Sequence, residues 1–218
     1  MKGRELIAYR TARFMEDGDL VNLGIGMPTM CLDYLPEDVD VWVQAENGVI
    51  GLVGRPGEGE PIDPDLVDAS GTPVTMREGG CCFDSVVSFG LMRGGHVNVV
   101  VLGAYEVDQE GNLANWMVPG KAVAGMGGAM DLVVGARKVI IMTEHCDKKG
   151  NPKVLKKCTL PLTAVGKVDY VVSELCVLQK TDEGLVLLEL APDVTVEEVV
   201  SKTGADLIIP EKIGCMVK

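Results

Sequence analysis

Apolar residues in this chain come in short runs, broken by glycine-rich and acidic turns, and helical spacing alternates with strand-like runs. Val139-Ile140-Ile141-Met142, within Lys138 to Thr143, is unbroken, the pattern of a strand buried on both faces. Further strands are predicted at Leu20 to Leu23, Val39 to Val43, Val97 to Leu102 and Asp169 to Val172, with shorter ones at Val74-Thr75-Met76 and Leu207-Ile208-Ile209. Two hairpins are expected. One sets Tyr105-Glu106-Val107 against Leu113 to Trp116, and the other sets Cys176-Val177-Leu178 against Leu185 to Leu188. Helices are predicted from Lys2 to Asp17, from Pro28 to Leu35, from Asp84 to Arg93, from Ala129 to Val134, and from Val196 to Lys202 behind a Thr195 cap. Gly51 to Ser70 reads as a long loop, either functional or an exposed flap. Strands alternating with helices indicate an α/β fold: a single domain over residues 1–218 with a largely parallel, open twisted sheet flanked by helices.

Composition narrows the function classes. The chain is 47% hydrophobic but only 4% aromatic, so its core is aliphatic. A net charge of −12 leaves no basic stripe for phosphate backbones, which argues against nucleic-acid binding but not against an anionic small ligand. The opening Met1-Lys2-Gly3-Arg4-Glu5 is followed by no signal-peptide core, and no run approaches a membrane span. Seven cysteines without a paired rhythm or a C-x-x-C suit reduced thiols, so a cytoplasmic protein without membrane attachment is expected. His96 and His145 lie far apart without paired ligands, so no metal site is expected.

The residues that could carry chemistry are few. Val41-Trp42-Val43-Gln44-Ala45-Glu46-Asn47-Gly48 starts as a strand and ends in a carboxylate, an amide and a turn glycine. Glu46 therefore sits at a strand's carboxyl end, where open α/β sheets build their sites, or it is a solvated carboxylate before a turn. Gly24-Ile25-Gly26 and Gly125-Met126-Gly127-Gly128 fail the dinucleotide fingerprint, because Thr29 and Met130 stand where the last glycine belongs. Each still offers bare backbone N–H groups, suited to a phosphate or an oxyanion, or serves only as a tight turn. His96 reads as a structural group at a helix end, whereas His145 follows a buried strand and is more suggestive. No G-x-S-x-G elbow exists and no cysteine has a base beside it in sequence. Glu46 remains, as base or nucleophile.

Gln44-Ala45-Glu46-Asn47-Gly48 resembles the Ser-Glu-Asn-Gly signature of the β subunit of family I CoA transferases of the 3-oxoacid type, with Ala45 in place of the usual serine. Further blocks resemble the family in order. They include Asn22 to Pro28, Phe83-Asp84-Ser85, Arg93 to His96, Gly111 to Trp116, Pro119-Gly120-Lys121, Gly125 to Leu132 and Cys158 to Thr163. The resemblance implies that Glu46 attacks an acyl-CoA thioester, giving an acyl-glutamyl anhydride and then a glutamyl-CoA thioester. It implies no metal and no redox cofactor, with coenzyme A as a substrate carrier. Backbone amides of the Gly125–Gly128 turn, above all Gly125, Gly127 and Gly128, are the expected oxyanion donors, with Asn22 and Asn47 as polar neighbours. The implied partner is a separate α subunit in an α2β2 assembly, with CoA between the subunits. The exchanged acids belong to the acetoacetate, succinate, acetate or butyrate class. An acyl-CoA hydrolase and a non-catalytic ligand-binding module are the alternatives.

Overall fold

The continuous apolar runs become the middle of one sheet. The computed structural model describes residues 1–120, 123 and 125–217, so Lys121 of the Pro119-Gly120-Lys121 block lies outside the described residues. The chain begins with α1 (Arg4–Ala12), β1 (Leu20–Leu23), a 3₁₀ helix (Met27–Tyr34), β2 (Trp42–Ala45), β3 (Val49–Gly54) and β4 (Thr75–Cys82). Next come α2 (Ser85–Arg93), β5 (Val99–Gly103), β6 (Glu106–Asp108), β7 (Leu113–Ala114), α3 (Ala129–Gly135) and β8 (Lys138–Met142). The rest is β9 (Val154–Leu155), β10 (Tyr170–Val172), β11 (Cys176–Thr181), β12 (Gly184–Leu190), α4 (Val196–Lys202), β13 (Leu207–Ile208) and β14 (Gly214–Cys215).

The large sheet has the order β13-β12-β11-β10-β8-β5-β1-β2-β3-β4, with β14 also on β12. Its centre, β10-β8-β5-β1-β2, is parallel throughout. Antiparallel arms extend it on both sides: β11 and β12 beyond β10, and β3 and β4 beyond β2. A separate small sheet, β7-β6-β9, contains the first predicted hairpin. Among the described residues no helix is long and apolar enough to cross a membrane.

Side chains alternate across the parallel strands and feed two apolar layers. Val99, Val101, Ile140 and Met142 pack with Leu6, Ile7 and Ala8 of α1 and with Cys31 of the 3₁₀ helix. Val100, Leu102, Val139 and Ile141 pack on the other face with Met92 of α2 and with Leu132 and Val133 of α3. This double burial is why β5 and β8 show no polar alternation. Each such Val, Leu or Ile contributes roughly 1.5–3 kcal/mol relative to exposure. Helices α2 and α3 approach closely where Gly135 lies against Met92, since a β-carbon there would stand 1.9 Å from the Met92 carbonyl oxygen. That contact helps hold α3 on this face of the sheet, with the glycine turn in front of it near the carboxyl end of β2.

Three expectations need correction. The first helix is α1, Arg4–Ala12, rather than Lys2 to Asp17: from Arg13 to Met15 the amides bond three residues back, so the chain tightens and turns away, which lets Phe14 stack on Tyr170 at a centroid separation of 4.5 Å. The Pro28 segment is 3₁₀ rather than α-helical, because the Thr29 amide and hydroxyl both bond the Gly26 carbonyl, an i−3 partner. The loop expected from Gly51 is strand as far as Gly54. Gly51 has φ 92 and faces Gly80 so closely that a β-carbon would stand 2.9 Å from its Cα, and these glycines hid the β3–β4 arm.

Candidate active site

After β2 the backbone reverses at once. The Gly48 amide donates to the Ala45 carbonyl at 3.0 Å, and the Phe83 amide donates to the Gly48 carbonyl at 2.9 Å. Gly48 has φ 118, and a β-carbon there would stand 2.0 Å from the Phe83 carbonyl oxygen, so the position admits only glycine. This turn leaves Glu46 half-buried at the carboxyl end of a parallel strand, beside a cavity of about 580 Å³. Asn22, Leu23, Val43, Gln44 and Leu102 line the sheet side; Met126, Gly128 and Ala129 line a second wall, and Arg55, Asp68 to Ser70, Thr72 and Val74 line a third.

The glycine turn stands directly against the carboxylate. A β-carbon on Gly128 would lie 3.1 Å from the Glu46 Cγ, and one on Gly127 would have the Glu46 Oε1 3.9 Å away. No described residue accepts a hydrogen bond from the Gly127 or Gly128 amide, and the Glu46 carboxylate forms no ion pair with a described residue. Gly125 is exposed and lies off the cavity lining, though its neighbour Met126 lines it. A carboxylate held against bare glycine backbone at the end of an apolar cavity has the geometry that nucleophilic attack and oxyanion binding require.

The two asparagines stand differently. Asn22 lines the cavity, but its side-chain amide already donates to the Gln44 carbonyl at 3.0 Å and to Gln44 Oε1 at 2.7 Å. Asn47 is exposed, and its amide donates to the Val67 carbonyl at 2.8 Å, outside the cavity lining. Gln44 is a bracing residue beside the site that the sequence alone does not single out. Its Nε2 donates to the Ala45 carbonyl and to Ser88 Oγ, both at 3.0 Å, so a buried chain Asn22–Gln44–Ser88 braces the strand end that carries Glu46. The signal for it is a buried amide two residues before the carboxylate, in a strand otherwise apolar.

The histidines and cysteines lie outside this cavity. His145 is fully buried, with Nδ1 2.9 Å from Ser173 Oγ and Nε2 2.9 Å from Thr203 Oγ1; burial, aided by the Lys202 charge, pushes its pKa down to about 4. It is a neutral tie between the end of β8, the end of β10 and α4. Burial pushes the Cys31, Cys158 and Cys176 thiols up to about 12, the opposite of what a thiolate nucleophile requires. Among the described residues no group of three or more His, Cys, Asp or Glu could hold a metal ion.

Residues 4–202 match the family described as coenzyme A transferase. The chain is 56% identical to the β subunit of the acetate CoA-transferase of Haemophilus influenzae, over 97% of this chain and 94% of that one. It is 43% identical to one subunit of the succinyl-CoA:3-ketoacid coenzyme A transferase of Helicobacter pylori, over 93% of this chain and 97% of that one. Its fold superposes on the crystal structure of an acyl-CoA transferase, YdiF of Escherichia coli, with a TM-score of 0.76 at 23% identity, covering 98% of this chain and 43% of that one.

Proposed function

Given that this chain belongs to the coenzyme A transferase family, as a β subunit of a two-subunit enzyme, we propose that Glu46 is the nucleophile that carries CoA between two carboxylic acids. The observation that supports this most is the Glu46 carboxylate, unpaired among the described residues and pressed against Gly128 at the end of the cavity. The carboxylate adds to the thioester carbonyl, the C–S bond breaks, and an acyl-glutamyl anhydride and CoA thiolate result. The thiolate then adds to the glutamyl carbonyl, displacing the first acid as its carboxylate and leaving a glutamyl-CoA thioester. The acceptor acid runs both steps backwards. Anhydride and thioester are both activated acyl groups, so little free energy is lost between them. Each tetrahedral oxyanion forms beside the Gly127 and Gly128 amides, which have no partner among the described residues. Asn22 holds Gln44 and so aims the strand end, rather than donating to substrate.

The cavity is lined mainly by apolar side chains, with Arg55 the sole cation among its described lining residues. That lining favours short acids of the acetate and butyrate kind, with acetoacetate or succinate as the more polar members of the class. The complementary α subunit completes the CoA site in an α2β2 enzyme. Seven cysteines spaced without a paired rhythm suit a reducing, cytoplasmic setting. Acyl-CoA consumption by the assembled enzyme, measured with and without an acceptor acid, tests the reading. Turnover that requires the acceptor and vanishes in Glu46→Gln supports it, whereas acceptor-independent release of CoA indicates a hydrolase.

A further inference from the structure

One wall of the cavity is a small hairpin built into the long loop between β3 and β4. The Val74 amide bonds the Leu66 carbonyl at 3.1 Å, the Asp68 amide bonds the Thr72 carbonyl at 2.9 Å, and Val67 bridges Pro73. Asp68 Oδ1 knots the tip, accepting from the Ser70 amide at 2.8 Å, the Ser70 hydroxyl at 2.6 Å and the Thr72 amide at 3.0 Å. Burial alone would raise the Asp68 pKa, but these bonds and the Arg55 charge outweigh it and hold the carboxylate below its usual range. The hairpin is thus stiff in itself, and Asp68, Ala69, Ser70, Thr72 and Val74 face the cavity. Among the described residues, its side-chain hydrogen bond to the rest of the chain is the one from Asn47 Nδ2 to the Val67 carbonyl, at 2.8 Å. Asn47 directly follows Glu46.

We propose that Asn47 is a positioning residue: it clips the Leu66–Val74 hairpin over the cavity and keeps water from the acyl groups carried on Glu46. The inference rests on the nucleophilic role of Glu46 given above. Water adding to a glutamyl-CoA thioester breaks the C–S bond and releases CoA thiol, the Glu46 carboxylate and one proton. Transfer is then lost as hydrolysis. Excluding water is therefore as much a requirement as attack. Val74 anchors the base of the hairpin in the core, so the Asn47 bond governs the Val67–Thr72 end, and its loss acts on water entry without touching the Glu46 side chain.

The test uses the assembled two-subunit enzyme with a short acyl-CoA, comparing wild type, Asn47→Ala and Asn47→Asp. Asn47 is exposed, so both variants are expected to fold, and an unchanged thermal midpoint checks this. In both variants the ratio of acyl-CoA hydrolysis to transfer is expected to rise roughly fivefold or more, the change expected when one hydrogen bond is removed from the closed state. Amide exchange across residues 66–74 is expected to accelerate in parallel. A fall in transfer with an unchanged hydrolysis ratio and unchanged exchange would overturn the clip. Transfer that survives Glu46→Gln would instead overturn the nucleophile, so the two failures are distinguishable.

Discussion

Gly128 lies so close to Glu46 that a β-carbon added to it would stand 3.1 Å from the Glu46 Cγ and 3.4 Å from its Cβ. The Gly128 backbone, at φ −82, is one any residue adopts, so the need for glycine here is steric rather than conformational. Gly128→Ala is expected to leave the thermal midpoint nearly unchanged while pushing the carboxylate off its line of attack. A displacement of about 1 Å costs ~100-fold, so kcat is expected to fall by one to two orders of magnitude. Steady-state kinetics beside a melting curve check the pairing of these two outcomes.

The Asn22–Gln44–Ser88 chain gives a different signature. Gln44 is 2% exposed, and its side-chain amide bonds Ala45 and Ser88 while its oxygen accepts from Asn22. Gln44→Leu leaves the Asn22 amide and the Ser88 hydroxyl short of partners inside the fold. A stability loss of about 2 kcal/mol is expected in urea unfolding, with a reduced kcat. Ser88→Ala removes one end only and is expected to cost less.

The pH dependence of stability follows from His145. Its pKa is about 4 in the folded chain against 6.5 when unperturbed. Below the unfolded value the unfolded chain binds a proton that the native state does not. The contribution of His145 is therefore complete at neutral pH and is lost as pH falls from about 6.5 towards 4, by on the order of 3 kcal/mol. Urea midpoints measured across this window should fall steeply in wild type. In His145→Gln, which keeps one hydrogen-bonding tip and does not titrate, the slope should flatten.

Much of this was legible in the sequence. The two-sided apolar runs of β5 and β8 place the parallel centre, and Asp84 caps α2, accepting from the Val87 amide at 2.9 Å. Glu46 was visible as a charge ending an apolar strand. The sequence hides the β3–β4 arm because Gly51, Gly79 and Gly80 break the alternation: Gly51 and Gly80 answer to a close backbone approach and Gly79 to a φ of 82, neither of which a local pattern records. The meeting of Glu46 with Gly127 and Gly128 is likewise long-range, set by the α2–α3 contact at Gly135 and Met92. The family resemblance implies Asn47 as a polar neighbour of the site. Only the fold shows that its side chain is spent on Val67.

The single chain is expected to be inactive. Ile25, at 78% exposure, and Val53 border or line the cavity, while Val86, at 80%, Met130 and Val134 are exposed on α2 and α3. Apolar surface of this kind around a site calls for a partner. Titrating the chain with its α subunit should restore transferase activity at a one-to-one ratio. Full activity from the chain alone would contradict this.

If CoA is carried on Glu46, as proposed, the covalent intermediate can be trapped. The assembled enzyme is incubated with acyl-CoA in the absence of an acceptor acid and treated with borohydride, which reduces a thioester but not a carboxylate. The expected result is acyl-CoA-dependent inactivation, with peptide mass analysis locating the side chain of residue 46 as an alcohol. Modification at another residue, or none at Glu46 in an enzyme that turns over, would rule out Glu46 as the carrier.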